Sequence, residues 1–177
     1  MIVFINGPFG VGKTTSARLV VKRLRRGVIF DPEIIGDTLK TLLGAFRPVE
    51  DFQEYGCWAF LTVLTAGVLV LVLRRATVIP MTVCDLARWQ YITKALQNLN
   101  TTVICVRLVC SPETLRQRIL GRQQSEGCHA WCLSHLDSGI ALMNDPQYGK
   151  AIDTEGQAPE QVAGKIMHLV AQSRAGR

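Results

Sequence analysis

Charge is scarce in this chain. Only 19% of its 177 residues are Asp, Glu, Lys or Arg, against 48% apolar ones, and that balance excludes a disordered class. Linker composition and internal repeats are missing too, so the length suits one domain with a full core. Acids are the scarcer sign, 14 against 20 basic residues, giving a formal charge of +6 and a pI near 9.2. Such a balance suits nucleic acid, a membrane surface or an anionic ligand. No RNA-binding signature, zinc-finger spacing or long lysine run accompanies it. No nucleic-acid partner is therefore expected, and polyanionic nucleotides account for the basic balance.

The N-terminus has no charged lead before a hydrophobic segment, and the six cysteines are spread along the chain. Both features point to reduced thiols and a cytoplasmic protein without a signal peptide. No apolar run reaches the roughly 20 residues of a spanning helix. The nearest, Cys57 to Leu73, has no charge and is followed by Arg74-Arg75, but it contains Thr62, Thr65 and Gly67. A helix buried against a sheet is the expectation there, with no transmembrane helix. Peripheral membrane attachment through basic residues stays open. Monomer and dimer are both compatible with the sequence.

What the chain does contain is the stretch Gly7-Pro8-Phe9-Gly10-Val11-Gly12-Lys13-Thr14, which fits the phosphate-loop pattern G-x-x-x-x-G-K-[ST] at every fixed position. Ile2 to Ile5 before it read as a short buried strand; Ala17, Val20, Val21 and Leu24 after it recur on one helix face. In that setting the glycines let backbone N–H groups turn around phosphate oxygens, and the helix start adds its positive dipole end. Lys13 should reach the β- and γ-phosphates while the Thr14 hydroxyl ligates Mg²⁺.

Further strands are expected at 28–30, 77–82, 102–109 and 151–153, separated by helical patterns. Five strands alternating with helices imply right-handed βαβ crossovers on a parallel sheet, in one three-layer α/β domain. Ser111-Pro112-Glu113 is a helix start, with Ser at the cap and Pro in the first turn. Asp31, directly after the second strand, should face the crevice outside the strands' C-terminal ends. There it can accept a proton from an acceptor hydroxyl or hold the metal through water, or it can simply cap the helix that starts at Pro32. Arg118 and Arg122 share a helix face and lead into polar residues 123–127; they either supply positive charge to a transferring phosphoryl group or are ordinary surface arginines. Cys128, His129, Cys132 and His135 resemble metal ligands, but no second ligand pair appears, which favours a flap helix with partly buried cysteines. No aspartate directly ends the third strand, which weakens a motor or GTPase reading and leaves Asp31 as the better magnesium partner.

Taken together, Gly7 to Thr15, Phe30-Asp31-Pro32-Glu33-Ile34-Ile35-Gly36, Asp51-Phe52-Gln53-Glu54-Tyr55 with Trp58, and Val78-Ile79-Pro80-Met81-Thr82 resemble the tunicamycin-resistance proteins of bacteria. The likeness covers the first half of the chain in order and the second half more loosely, through 114–118 and the last strand and helix. It implies a small-molecule P-loop kinase fold with strand order 2-3-1-4-5. It also implies ATP as cofactor and protection against tunicamycin, a nucleoside antibiotic carrying sugars and an acyl chain. By that likeness Lys13, Asp31, Arg118 and Arg122 are catalytic, and a short lid lies at about 122–135. Residues Gly7 to Thr15 with Gln157, in the loop after the last strand, hold the nucleotide, with Thr14 and Asp31 on the metal. Asp51, Phe52, Gln53, Tyr55, Trp58 and Thr82 line the acceptor. The family's Asn after Pro-Met-Thr is replaced by Asp85. Two activities follow as expectations: phosphoryl transfer to tunicamycin or a related compound, or ATP-dependent sequestration of the drug without chemistry.

Overall fold

The computed structural model describes residues 1–49, 51–122 and 126–175. Glu50, directly before the expected acceptor segment, and 123–125, in the expected lid, lie outside the described residues.

The central strand β1 (Ile2–Asn6) is wholly buried, and its pleat sends alternate side chains to opposite faces of the sheet. Val3 and Ile5 enter one core, beneath α1 (Lys13–Arg23) and α8 (Pro159–Ala175). Ile2 and Phe4 enter a second core on the other face, with Trp89 and Ile92 of α4 (Leu86–Gln97). Phe4 meets the Trp89 ring edge-on at 4.9 Å. Each fully buried side chain of this size contributes about 1.5–3 kcal/mol, so β1 anchors both layers.

Around it the sheet runs β2 (Gly27–Ile29), β3 (Ala76–Pro80), β1, β4 (Val103–Val109), β5 (Lys150–Asp153), all parallel. This is the expected 2-3-1-4-5 order. Pro80 is tolerated because of where its missing N–H would point. Ala76 donates toward β2 and Thr77 and Met81 toward β1, so residue 80 faces β2. The last bond between these two strands runs from the Phe30 N–H to the Val78 carbonyl (2.9 Å), so residue 80 stands at the end of the ladder, where a proline is tolerated. Strand β4 alternates in burial along its length: Ile104, Val106 and Leu108 enter the first core, while Val103 and Cys105 pack at the margin of the second, on the side where Arg107 also lies. Arg107 is satisfied there by the carbonyls of Met143 and Gly149.

The remaining helices are α2 (Glu33–Leu43), α3 (Gly56–Gly67), α5 (Pro112–Leu120), α6 (Glu126–Ser134) and α7 (Leu136–Asn144). The Ser111 cap forms as read, its hydroxyl accepting from Thr114 N–H at 3.2 Å. The apolar run beginning at Cys57 corrects an expectation. It is helical, α3 passing into a π-helical turn at Val68–Val72, yet it is not buried all round. Trp58, Thr62, Ala66 and Val70 face the core, while Phe60, Leu64, Val68, Leu71, Val72 and Leu73 are exposed. Among the described residues no helix is long and apolar enough to cross a membrane.

Candidate active site

The phosphate loop bridges β1 and α1 at the C-terminal end of the sheet. Gly10 and Gly12 hold φ of 89° and 102°, a left-handed conformation that L side chains rarely adopt, and it turns the loop's N–H groups inward. The start of the loop is pinned from below. Asn6, fully buried, accepts from the N–H of Gly7 (2.8 Å) and Val83 (3.0 Å) and donates to the Val83 carbonyl. Thr82 donates its hydroxyl to the Gly7 carbonyl at 2.9 Å. From above, α7 passes so close that a Cβ on Gly139 would stand 2.7 Å from Pro8.

Lys13 folds back over its own loop, donating to the carbonyls of Gly7 (2.9 Å) and Pro8 (2.8 Å), with its ammonium 5.3 Å from the Phe9 ring centre. Burial of the ammonium depresses its pKa to about 8; Glu33 opposes that shift and Arg122 adds to it. Phe9 in turn meets Trp131 of α6 at 4.8 Å.

A cleft of about 290 Å³ opens over Lys13, Thr14 and Thr15, with Asp31, Glu33 and Arg122 across from them and Trp131 and Cys132 forming a further wall. Asp31 is brought there as its place after β2 implied, and it also caps: its carboxylate accepts from the Glu33 N–H at 3.0 Å. The two readings of Asp31 are therefore compatible. Glu33 is a cleft residue that the sequence did not single out. Although the residue as a whole is exposed, its carboxyl sits inside the cleft, where burial, and then neighbouring Asp31, push its pKa up. Only its place in the Asp-Pro-Glu turn hinted at this.

The expected arginine pair is split. Arg122 lines this cleft, whereas Arg118 spends both ends of its guanidinium on Thr154, on the hydroxyl (2.9 Å) and the carbonyl (2.8 Å). Arg118 thus belongs to a second cleft on the far side of the loop, with Gly10, Thr15, Ser16, Thr154 and Gln157. The Gln157 side-chain oxygen is buried there without a partner among the described residues.

The expected acceptor wall is not brought to the cleft. Tyr55 is 3% exposed and donates its hydroxyl to the Arg47 carbonyl; Trp58 is fully buried and donates to the Pro32 carbonyl at 3.0 Å. Phe52 lies against Trp58, with ring centres 5.6 Å apart, and fills the space over Gly36, where a Cβ would stand 2.2 Å from its ring. Asp51 and Glu54 form a capping box, and Gln53 donates to the Thr82 carbonyl at 3.0 Å. Thr82 itself is 4% exposed and occupied with Gly7. Together these side chains brace the Asp31-Pro32-Glu33 turn and the phosphate loop from behind. Asp85 caps α4 by accepting from the Arg88 N–H.

Among the described residues no group of three or more His, Cys, Asp or Glu could hold a metal ion. His129 pairs with the Arg122 carbonyl and His135 with the Trp131 carbonyl. No disulfide forms among the described residues, and burial pushes the Cys105 thiol up to about 11 and the Cys132 thiol upward. Both remain protonated near neutral pH, poor nucleophiles and poor metal ligands.

The sequence profile of the AAA domain family matches residues 2–138. The chain belongs to this family. No curated protein matches by sequence, but solved structures do. The tunicamycin resistance protein of Deinococcus radiodurans is similar at 27% identity, with a TM-score of 0.76, over 96% of this chain and 94% of its own. A gluconokinase from Sinorhizobium meliloti 1021 has a TM-score of 0.67 at 12% identity, covering 97% of this chain and 91% of its own. Shikimate kinase from Acinetobacter baumannii, solved with shikimate, reaches 0.61 at 20%, covering 97% and 93%. The resemblance to the tunicamycin-resistance proteins is borne out, and so is the kinase-like fold. A phosphate-loop fold of this kind implies nucleotide binding.

Proposed function

We propose that this AAA-family domain binds Mg-ATP across its two clefts and transfers the γ-phosphoryl group to a hydroxyl of tunicamycin or a related nucleoside or sugar compound. The observation that carries this reading is the facing of Lys13 and Thr14 by Asp31, Glu33 and Arg122 across one cleft. That arrangement puts a phosphate-binding side opposite carboxylates able to take a proton.

The residues fit the cofactor. The left-handed Gly10 and Gly12 let loop N–H groups surround the phosphates, and Lys13, released from Gly7 and Pro8, reaches them. The Gln157 carbonyl oxygen, buried and unpaired among the described residues, suits the exocyclic amine of adenine, with Arg118 fixing that cleft through Thr154. Magnesium keeps several waters and takes one or two carboxylates plus phosphates, so the Thr14 hydroxyl with Asp31 is a sufficient protein contribution. Magnesium supplies charge neutralisation. Asp31, held in place by the Glu33 N–H, accepts the acceptor's hydroxyl proton. Arg122 places positive charge beside the transferring group, and α6 with Trp131 excludes water from the cleft as a lid.

Incubating the protein with Mg-ATP and tunicamycin and weighing the antibiotic tests this directly: its mass rises by one phosphoryl group. An unchanged mass under saturating binding overturns the reading. Sequestration without chemistry is the second reading, favoured by the apolar outer stripe of α3, which suits an acyl chain.

A further inference from the structure

A surface helix normally turns a polar face to solvent, and α3 with its π-helical continuation does the opposite. Between Cys57 and Leu73 there is no charged residue. Phe60, Leu64, Val68, Leu71 and Val72 recur at helical spacing along the exposed side, Val72 being 70% exposed. They border an outer groove whose lining is almost wholly apolar. At the end of this stripe a second groove is lined by Arg25, Arg26, Arg74, Arg75 and Arg174, all exposed, with no acidic residue in its lining. Leu71, Val72 and Leu73, all exposed, run directly into Arg74 and Arg75, so the apolar stripe leads into the arginine groove. Arg26 and Arg74 hold left-handed backbone (φ 56° and 50°), a conformation in which glycine or asparagine is favoured. Arginine stands there against its conformational preference.

We propose that this combined face docks the protein on an anionic lipid surface, the apolar stripe entering the interfacial layer and the five arginines contacting lipid phosphates and carboxylates. An amphipathic face of this composition, apolar along its length and basic at its edge, matches the chemistry of a negatively charged leaflet. A second copy of the chain fits less well, because two-fold pairing through this face brings two arginine clusters onto one interface. The arginine groove lies by Met1 and Ala76, at the N-terminal ends of β1 and β3, the opposite end of the sheet from the phosphate loop. Docking therefore leaves the crevice accessible, and the inference does not depend on the activity proposed above.

The test is flotation of the full chain with vesicles of phosphatidylcholine alone and of phosphatidylcholine and phosphatidylserine in roughly equal parts. The protein is expected to float with the anionic vesicles and not with the neutral ones, and to dissociate as salt rises toward about 1 M, where charges are screened within about 3 Å. Removing each arginine's charge, as in Arg74→Gln or Arg75→Gln, is expected to weaken partitioning about fivefold. Val72→Glu is expected to abolish it, with the thermal midpoint of the free protein unchanged in each variant. Should Val72→Glu lower that midpoint, the arginine variants and the salt titration still decide the question. No flotation with anionic vesicles at low salt, or equal flotation with neutral ones, overturns the proposal. So does self-association in light scattering that Val72→Glu abolishes, since the face then belongs to a second copy.

Discussion

The phosphate loop and the segment from Asp51 to Trp58 both look site-forming in the sequence, and they behave differently in the folded chain. The loop's chemistry lies in its backbone, and backbone geometry is written locally: glycines at positive φ, a strand before, a helix after. The contribution of Asp51 to Trp58 depends on which way aromatic side chains point. Tertiary packing decides that, and it turns Tyr55 and Trp58 into the core behind the Asp31 turn. The first region lines the cleft; the second packs behind it. A motif carried by the main chain is thus a firmer sequence signal than one carried by apolar side chains, which are core residues by default.

The sharpest way to break this contrast is Trp58→Ala. If Trp58 is a brace, its loss empties a fully buried volume and removes the bond to Pro32, costing about 3–5 kcal/mol and lowering Tm by on the order of 10 °C in a melt. A raised acceptor KM with an unchanged Tm would return it to the acceptor wall. Lys13→Ala should reverse the pattern, leaving Tm nearly unchanged while phosphoryl transfer falls by about 10²–10³-fold in a steady-state assay.

The smallest effect concerns protonation. The Lys13 pKa of the free protein, about 8, lies below the ordinary 10.5 because burial disfavours the ammonium. Between those values the unfolded chain holds the extra proton, so this group makes folding stability rise with pH across that window. A bound polyphosphate favours the charged form, so ATP binding takes up a proton there. Its affinity should be flat in this respect below about pH 8 and fall by at most about tenfold per pH unit above it. Calorimetry in buffers of differing ionisation enthalpy measures the uptake, and Lys13→Ala should remove it.

Much of the fold was legible in the sequence. The five strands, their parallel order, the Ser111 cap and the crevice position of Asp31 followed from period, punctuation and resemblance. Glu33 was hidden because a carboxylate one residue past a proline looks like an ordinary first-turn helix acid. Arg118 and Arg122 appeared as one pair because both seemed to lie on one helix. Helix α5 ends at Leu120, so Arg122 leaves it toward the cleft while Arg118 turns to Thr154. The outward stripe of α3 was hidden because a run that is apolar all round does not say which face the sheet covers.

The proposed transfer turns on Asp31 facing the bound nucleotide as the proton acceptor. Asp31→Asn keeps an oxygen to accept from the Glu33 N–H but cannot take a proton. Tunicamycin resistance of cells carrying that variant, measured beside the ATP affinity of the purified protein, addresses the claim most directly. The prediction is lost resistance, with turnover reduced by about 10²–10⁴-fold and nucleotide affinity measured without magnesium retained. Full resistance with the variant would contradict it and leave sequestration as the protein's activity.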